Sequence, residues 1–104
     1  LGLNSTSQAI TGDGSTSTAI DVTSAVTEVN ATSAQAPCTL ADGANGQIKV
    51  IINVSTGGSN NVVITPSNLR GGTTITLNAP GETVTCIFKN SNWNIIAGQA
   101  YTTA

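Results

Sequence analysis

Residues 62–96, VVITPSNLRGGTTITLNAPGETVTCIFKNSNWNII, restrict the fold more than any other part of the chain. Short runs of Val, Ile, Thr and aromatic residues are separated there by three clusters of turn formers. These are residues 66–72 with Pro, Ser, Asn and Gly-Gly, residues 78–82 with Asn, Pro and Gly, and residues 90–92 with Asn-Ser-Asn. Between them, residues 73–77, 83–89 and 93–96 alternate apolar and polar side chains. A β-strand sends successive side chains to opposite faces, so a period of two means one buried face. Strands joined by such short turns fold back on one another. The stretch predicts an antiparallel meander.

The remaining residues point the same way. Thr, Ser and Asn supply 38 residues, and the apolar fraction of 38% is mostly Val, Ile and Ala. That mixture favours strands and turns over helices. No window carries apolar residues at helical spacing. At 104 residues the chain is one domain. The expected fold class is an all-β, antiparallel β-sandwich of jelly-roll-like kind. Residues 1–18 read as a low-complexity N-terminal arm, with room for one short strand at residues 7–10 and with Asp13 a turn residue between Gly12 and Gly14, and residues 19–104 as the sandwich domain. Ile20, Val22 and Val26 share a parity that Val29 breaks, which suggests a bulge or corner near residues 24–27, in a strand that bends or changes partners. Residues 38–40 and 47–54, joined by ADGANG, read as a hairpin. In the second of these strands Ile48, Val50, Ile52 and Val54 form one face, the more apolar one, and Lys49, Ile51 and Asn53 form the other. The core of the meander is then Val84, Cys86, Phe88, Trp93 and Ile95, with Ile75 and Leu77. A buried Trp93 needs an acceptor for its ring N–H, for which a strand-edge carbonyl serves.

Little in the sequence carries chemistry. Histidine is absent, so His-based triads, general bases and metal sites are excluded. Two cysteines without histidine do not make a structural zinc site. Asp21 and Glu28 lack a nucleophile or partner acid to frame them. Gly71-Gly72 reads as a turn, since no P-loop lysine or helix comes after it. The expectation is no catalytic residue, no cofactor and no metal. Cys38 and Cys86 each share parity with core residues, which favours buried, unpaired thiols over a disulfide. Only 8% of residues are charged, with a net charge of −2, against about 25% in an average domain. That balance gives no footprint for nucleic acid and no basic cluster for an anionic membrane. The chain starts at Leu1 without Met, which reads as a processed or partial chain.

Several apolar residues fall on the nominally outer parity: Ile51, Ile87, Ile96 and one of Val62 or Val63. With few charges to oppose contact, they predict a self-association interface at Ile51, Ile87 and Ile96.

The run from Cys38 to Tyr101 also carries a recognisable pattern. It contains CTLADGANGQIKVIINV, then VVITPSNLRGGTTITL, then GETVTCIFKNSNWNIIAG. This resembles a small β domain of virion proteins of tailed phages and aquatic viruses, found in fibre, appendage and capsid-surface components. The resemblance implies a non-enzymatic β-sandwich, usually a homotrimer, that decorates a capsid or ends a fibre. Its partners would be itself and other virion proteins such as the major capsid protein, and its location the virion surface. Other readings are an extracellular filament or pilus subunit assembled by strand exchange, and a carbohydrate-binding adhesin module.

Overall fold

The structure, a computed structural model, describes residues 7–57 and 60–104. Ten strands make two five-stranded sheets packed face to face, with no helix among the described residues. The strands are β1 (Ser7–Gly12), β2 (Thr18–Ile20), β3 (Val26–Ala31), β4 (Gln35–Leu40), β5 (Ile48–Asn53), β6 (Asn61–Pro66), β7 (Ile75–Leu77), β8 (Thr83–Lys89), β9 (Asn92–Gln99) and β10 (Thr102–Thr103). Sheet I has the order β1-β3-β5-β8-β9 and sheet II the order β10-β7-β6-β4-β2. The all-β, two-sheet architecture is the one that the turn-punctuated sequence requires.

The strand pairing is mixed rather than antiparallel throughout. From β1 to β6 the chain changes sheet at every connection, so β1, β3 and β5 pair in parallel, and so do β2, β4 and β6. This builds three stacked two-strand coils. The segment 41–47 therefore crosses from sheet II to sheet I and closes no hairpin. The remaining strands are antiparallel: β7 on β6, β8 on β5, β9 on β8 and β10 on β7. The expected meander is thus divided, with β6 and β7 in sheet II and β8 and β9 in sheet I. The change of parity after Val22 marks a corner, residues 21–25, where the chain crosses from sheet II to sheet I, and not a bulge. The first coil also replaces most of the expected arm. Ser7–Gly12 pairs along its whole length with β3, while residues 1–6 lie outside the described residues.

Stacking in register lays like residues over one another. Ile10, Val29 and Asn53 form one inward row, and Ile20, Leu40 and Pro66 another. Thr27, Ile51 and Val84 continue the core into the antiparallel part. Gly12 is held to glycine by this packing, since a Cβ there would lie 2.5 Å from the Ala36 Cβ. Asp13 bonds nearby backbone as a turn residue does, accepting from the Ser15 N–H at 3.1 Å.

Val84, Cys86, Phe88 and Trp93 are buried as the spacing predicts, and Ile95 is half-buried against the same cluster. Phe88 and Trp93 pair edge to face across the β8–β9 ladder, with centroids 5.2 Å apart and planes at 72°. The Trp93 ring N–H donates to the Ala41 carbonyl at 2.9 Å, just beyond the end of β4. Full burial of such side chains is worth roughly 1.5–3 kcal/mol each. Asn90 and Ser91, with φ of 54° and 63°, form the two-residue β8–β9 turn. Positive φ at both central positions is the geometry that matches the twist of the flanking strands.

Candidate functional site

The site is the outer face of sheet I, and β5 determines it. Directly opposed residues of neighbouring antiparallel strands point to the same face. Ile51 pairs with Val84 and Lys49 with Cys86, and both partners face the core. The inner face of β5 is therefore Lys49, Ile51 and Asn53, all at 0% exposure. Ile48, Val50 and Ile52 face outward and are half-buried. This inverts the parity suggested by counting apolar residues.

Neighbouring strands extend the outward row. Val26 of β3 and Thr85 of β8 flank Val50, Ile87 of β8 lies beside Ile48, and Glu28 and Thr83 flank Ile52. Val26, Ile48, Val50, Ile52 and Ile87 make a continuous aliphatic patch at the centre of the sheet.

The three expected interface residues separate. Ile51 is a core residue and meets no partner. Ile87 belongs to the outer patch and is half-buried there. Ile96 is 55% exposed, on the outer parity where alternation places it, and it sits at a bulge. Thr85 pairs with Ala97 while Cys86 pairs with Ile95, which leaves Ile96 as the extra residue. Such an insertion flips the parity of the residues beyond it, and so Ala97 faces out with Thr85. Val26, Ile48, Val50 and Ile52 were missed as surface residues. For the three in β5 the alternation of IKVIINV runs the opposite way round from the expected one: its apolar parity faces out, and the parity of Lys49, Ile51 and Asn53 faces in.

The inward polar residues of β5 are fully partnered. Asn53 donates to the Asn60 carbonyl at 3.0 Å and the Leu77 carbonyl at 2.9 Å, and accepts from the Ser55 N–H at 2.9 Å. It thereby ties sheet I to sheet II. Lys49 Nζ donates to the Ser24 carbonyl at 2.7 Å and lies 3.6 Å from Asp21 Oδ1. Asp21 in turn accepts from the Ser24 N–H at 2.8 Å. Burial pushes the Lys49 pKa down, and the Asp21 charge partly opposes this. The Ser24 N–H holds the Asp21 carboxyl below its ordinary value, helped by Lys49 and opposed by desolvation. The group fastens the 21–25 crossing to β5.

Cys38 and Cys86 are free and buried, and burial raises each thiol to about 11. A neutral thiol is a poor nucleophile. No pocket opens among the described residues, and no three His, Cys, Asp or Glu side chains among them converge as metal ligands do. No known family's sequence profile matches the chain, and no curated protein matches it.

Proposed function

We propose that the protein is a non-enzymatic structural component of a virion surface, a capsid-decoration or fibre subunit that assembles as a homotrimer through the outer face of sheet I. The observation that carries this reading is β5, a central strand whose outward face is wholly aliphatic, with Ile48, Val50 and Ile52, while Ile51 fills the core behind it. A strand patterned in this way is one covered on both sides. One cover is sheet II. The other is a copy of the same patch, with Val26, Ile48, Val50, Ile52 and Ile87 meeting near a threefold axis and Ile96 at its margin. Mutual burial of contiguous aliphatic surface is favourable in proportion to its area. The rest of the exterior is rich in Ser, Thr and Asn and has little charge to repel a second copy. The pattern between Cys38 and Tyr101 supplies the virion context and the other expected partners, virion proteins such as the major capsid protein. Function of this kind rests on shape and packing, and it uses no catalytic residue, cofactor, nucleic-acid contact or membrane.

Cryo-electron microscopy of the native assembly tests the reading. The expected map shows clusters of three sandwiches on a particle or fibre, with the outer faces of sheet I turned to the axis. A continuous filament of strand-exchanged subunits, or an isolated sandwich bound to glycan, would replace this account with another.

A further inference from the structure

An exposed strand edge is a template for pairing with another chain, and proteins blunt their edges with charge, proline, bulges, short strands or covering groups. The two sheets have four edge strands, β1, β9, β2 and β10. Three of them are blunted. β9 is bulged at Ile96, and near its start the segment 68–70 covers it, with the Trp93 N–H donating to the Asn68 carbonyl at 2.9 Å and the Arg70 N–H to the Trp93 carbonyl at 3.0 Å. β10 has two residues. β2 is plugged by a side chain. The Gln8 amide donates to the Ala19 carbonyl at 3.2 Å and accepts from the Asp21 N–H at 2.9 Å. Those two backbone groups stand two residues apart, so the amide imitates the peptide group of a neighbouring strand.

β1 has none of these devices. Ser7–Gly12, SQAITG, contains no charge and no proline, and its register with β3 is unbroken. In a strand, successive residues address opposite neighbours with their N–H and C=O groups. The Gly12 carbonyl accepts from the Thr32 N–H, at the end of β3, at 2.8 Å. Gln8, Ile10 and Gly12 therefore address β3, while Ser7, Ala9 and Thr11 address the open side. Those three are exposed and small, and nothing bulky among the described residues guards the edge.

We infer that β1 is a second self-association element, which pairs antiparallel with the β1 of another copy across a twofold axis at Ala9. A second copy offers the same uncharged, unbulged edge, and antiparallel pairing of like strands is self-complementary. Opposed residues must share a face, and a twofold axis at Ala9 sets Ala9 against Ala9 and Ser7 against Thr11 of the other copy. All three residues that address the open edge then bond, in reciprocal pairs. Sheet I becomes a continuous sheet of twice the width. This contact is separate from the aliphatic face, so it stands or falls independently of the trimer.

Two variants and one control test it. In a hydrogen-bonded antiparallel pair the Cα atoms lie about 5.5 Å apart, inside the roughly 4.4–6.8 Å range of disulfides. Ala9→Cys under mild oxidation should give a covalent dimer in most of the protein. Thr11→Cys should give little, because its twin stands about four residues away along the strand, beyond disulfide reach. Ala9→Pro should halve the native mass measured by light scattering and leave the circular dichroism spectrum and melting temperature near those of the parent. Proline is tolerated where the lost N–H faces away from the sheet. The halving reads hexamer to trimer if the aliphatic face also assembles, and dimer to monomer if it does not. Equal cross-linking of the two cysteine variants, absence of cross-linking in Ala9→Cys, or an unchanged mass for a folded Ala9→Pro protein would each overturn the inference.

Discussion

Removing Asp21 should destabilise the protein more than removing the buried lysine that it faces. The Lys49 side chain is fully buried, with one hydrogen bond to the Ser24 carbonyl and the Asp21 carboxylate at 3.6 Å. Asp21→Ala strands that ammonium and also releases the Ser24 N–H and hydroxyl that Asp21 accepts. Breaking a fully buried pair costs about 3–5 kcal/mol. The Asp21 side chain is 37% exposed, so water replaces part of what is lost, and the expected cost falls to about 2–3 kcal/mol. Lys49→Met keeps the aliphatic stem in place and removes the desolvated charge. Such replacements are often neutral or stabilising by about 1–4 kcal/mol. Against that, the Ser24 carbonyl loses its donor, at about 1–3 kcal/mol. The two nearly cancel, and Lys49→Met should lie within about 1 kcal/mol of the parent. Urea unfolding at pH 7, tracked by the fluorescence of the single tryptophan, measures both. The pH dependence has a sign as well. Lys49 has its pKa depressed on folding, so below its ordinary value of 10.5 the unfolded chain holds the proton more tightly. Stability therefore rises as pH climbs from the folded pKa toward that value, and Lys49→Met should lose this rise. Asp21 acts at the other end, contributing stability above its ordinary 3.8 that is lost as pH falls through its lowered folded pKa. A Lys49→Met protein as damaged as Asp21→Ala would refute the reasoning.

The core and the turns carry further expectations. Trp93→Ala should cost about 3–5 kcal/mol and one further hydrogen bond. A melting temperature within a few degrees of the parent would place that ring outside the core. Both thiols, raised to about 11 by burial, should resist alkylation in the native protein at about pH 8, near the ordinary thiol pKa, and label fully in denaturant without reductant, as intact mass will show. Ser91→Gly should stabilise the β8–β9 turn by up to about 1 kcal/mol, because φ of 63° strains a side-chain-bearing residue and suits glycine. An unchanged urea midpoint would show the turn to be unstrained.

The legible parts of this fold were those where local rules and the tertiary structure agree. In β8 a single parity is apolar, so Val84, Cys86 and Phe88 could be placed inward from spacing alone. The Asn-Ser turn and the burial of Trp93 were readable in the same way. β5 was illegible to counting because its more apolar face, Ile48, Val50 and Ile52, points outward, while its core face holds Lys49 and Asn53 on either side of Ile51. Apart from the Ser55 N–H, its inward lysine and asparagine find their partners farther away in the chain, in Asp21, Ser24, Asn60 and Leu77. The coil topology was hidden for a related reason. A crossing of a few residues between sheets and a hairpin loop draw on the same Gly, Asn, Asp and Ser, so ADGANG alone does not say which sheet the next strand joins. The outward turn of Ala97, which alternation from Trp93 and Ile95 would place inward, depends on the single residue inserted at Ile96, which periodicity treats as noise.

The central claim is that the aliphatic outer face of sheet I holds copies of the chain together. Light scattering at low micromolar concentration, on the parent and on Val50→Lys, tests it most directly. Val50 faces out from the central strand, so lysine there leaves the monomer fold intact but places a charge inside the interface. The parent should have a mass that is a multiple of three 10.4 kDa chains, and Val50→Lys should have lost the threefold. A parent that runs as a 10.4 kDa monomer, or a folded Val50→Lys protein of unchanged mass, would contradict the claim.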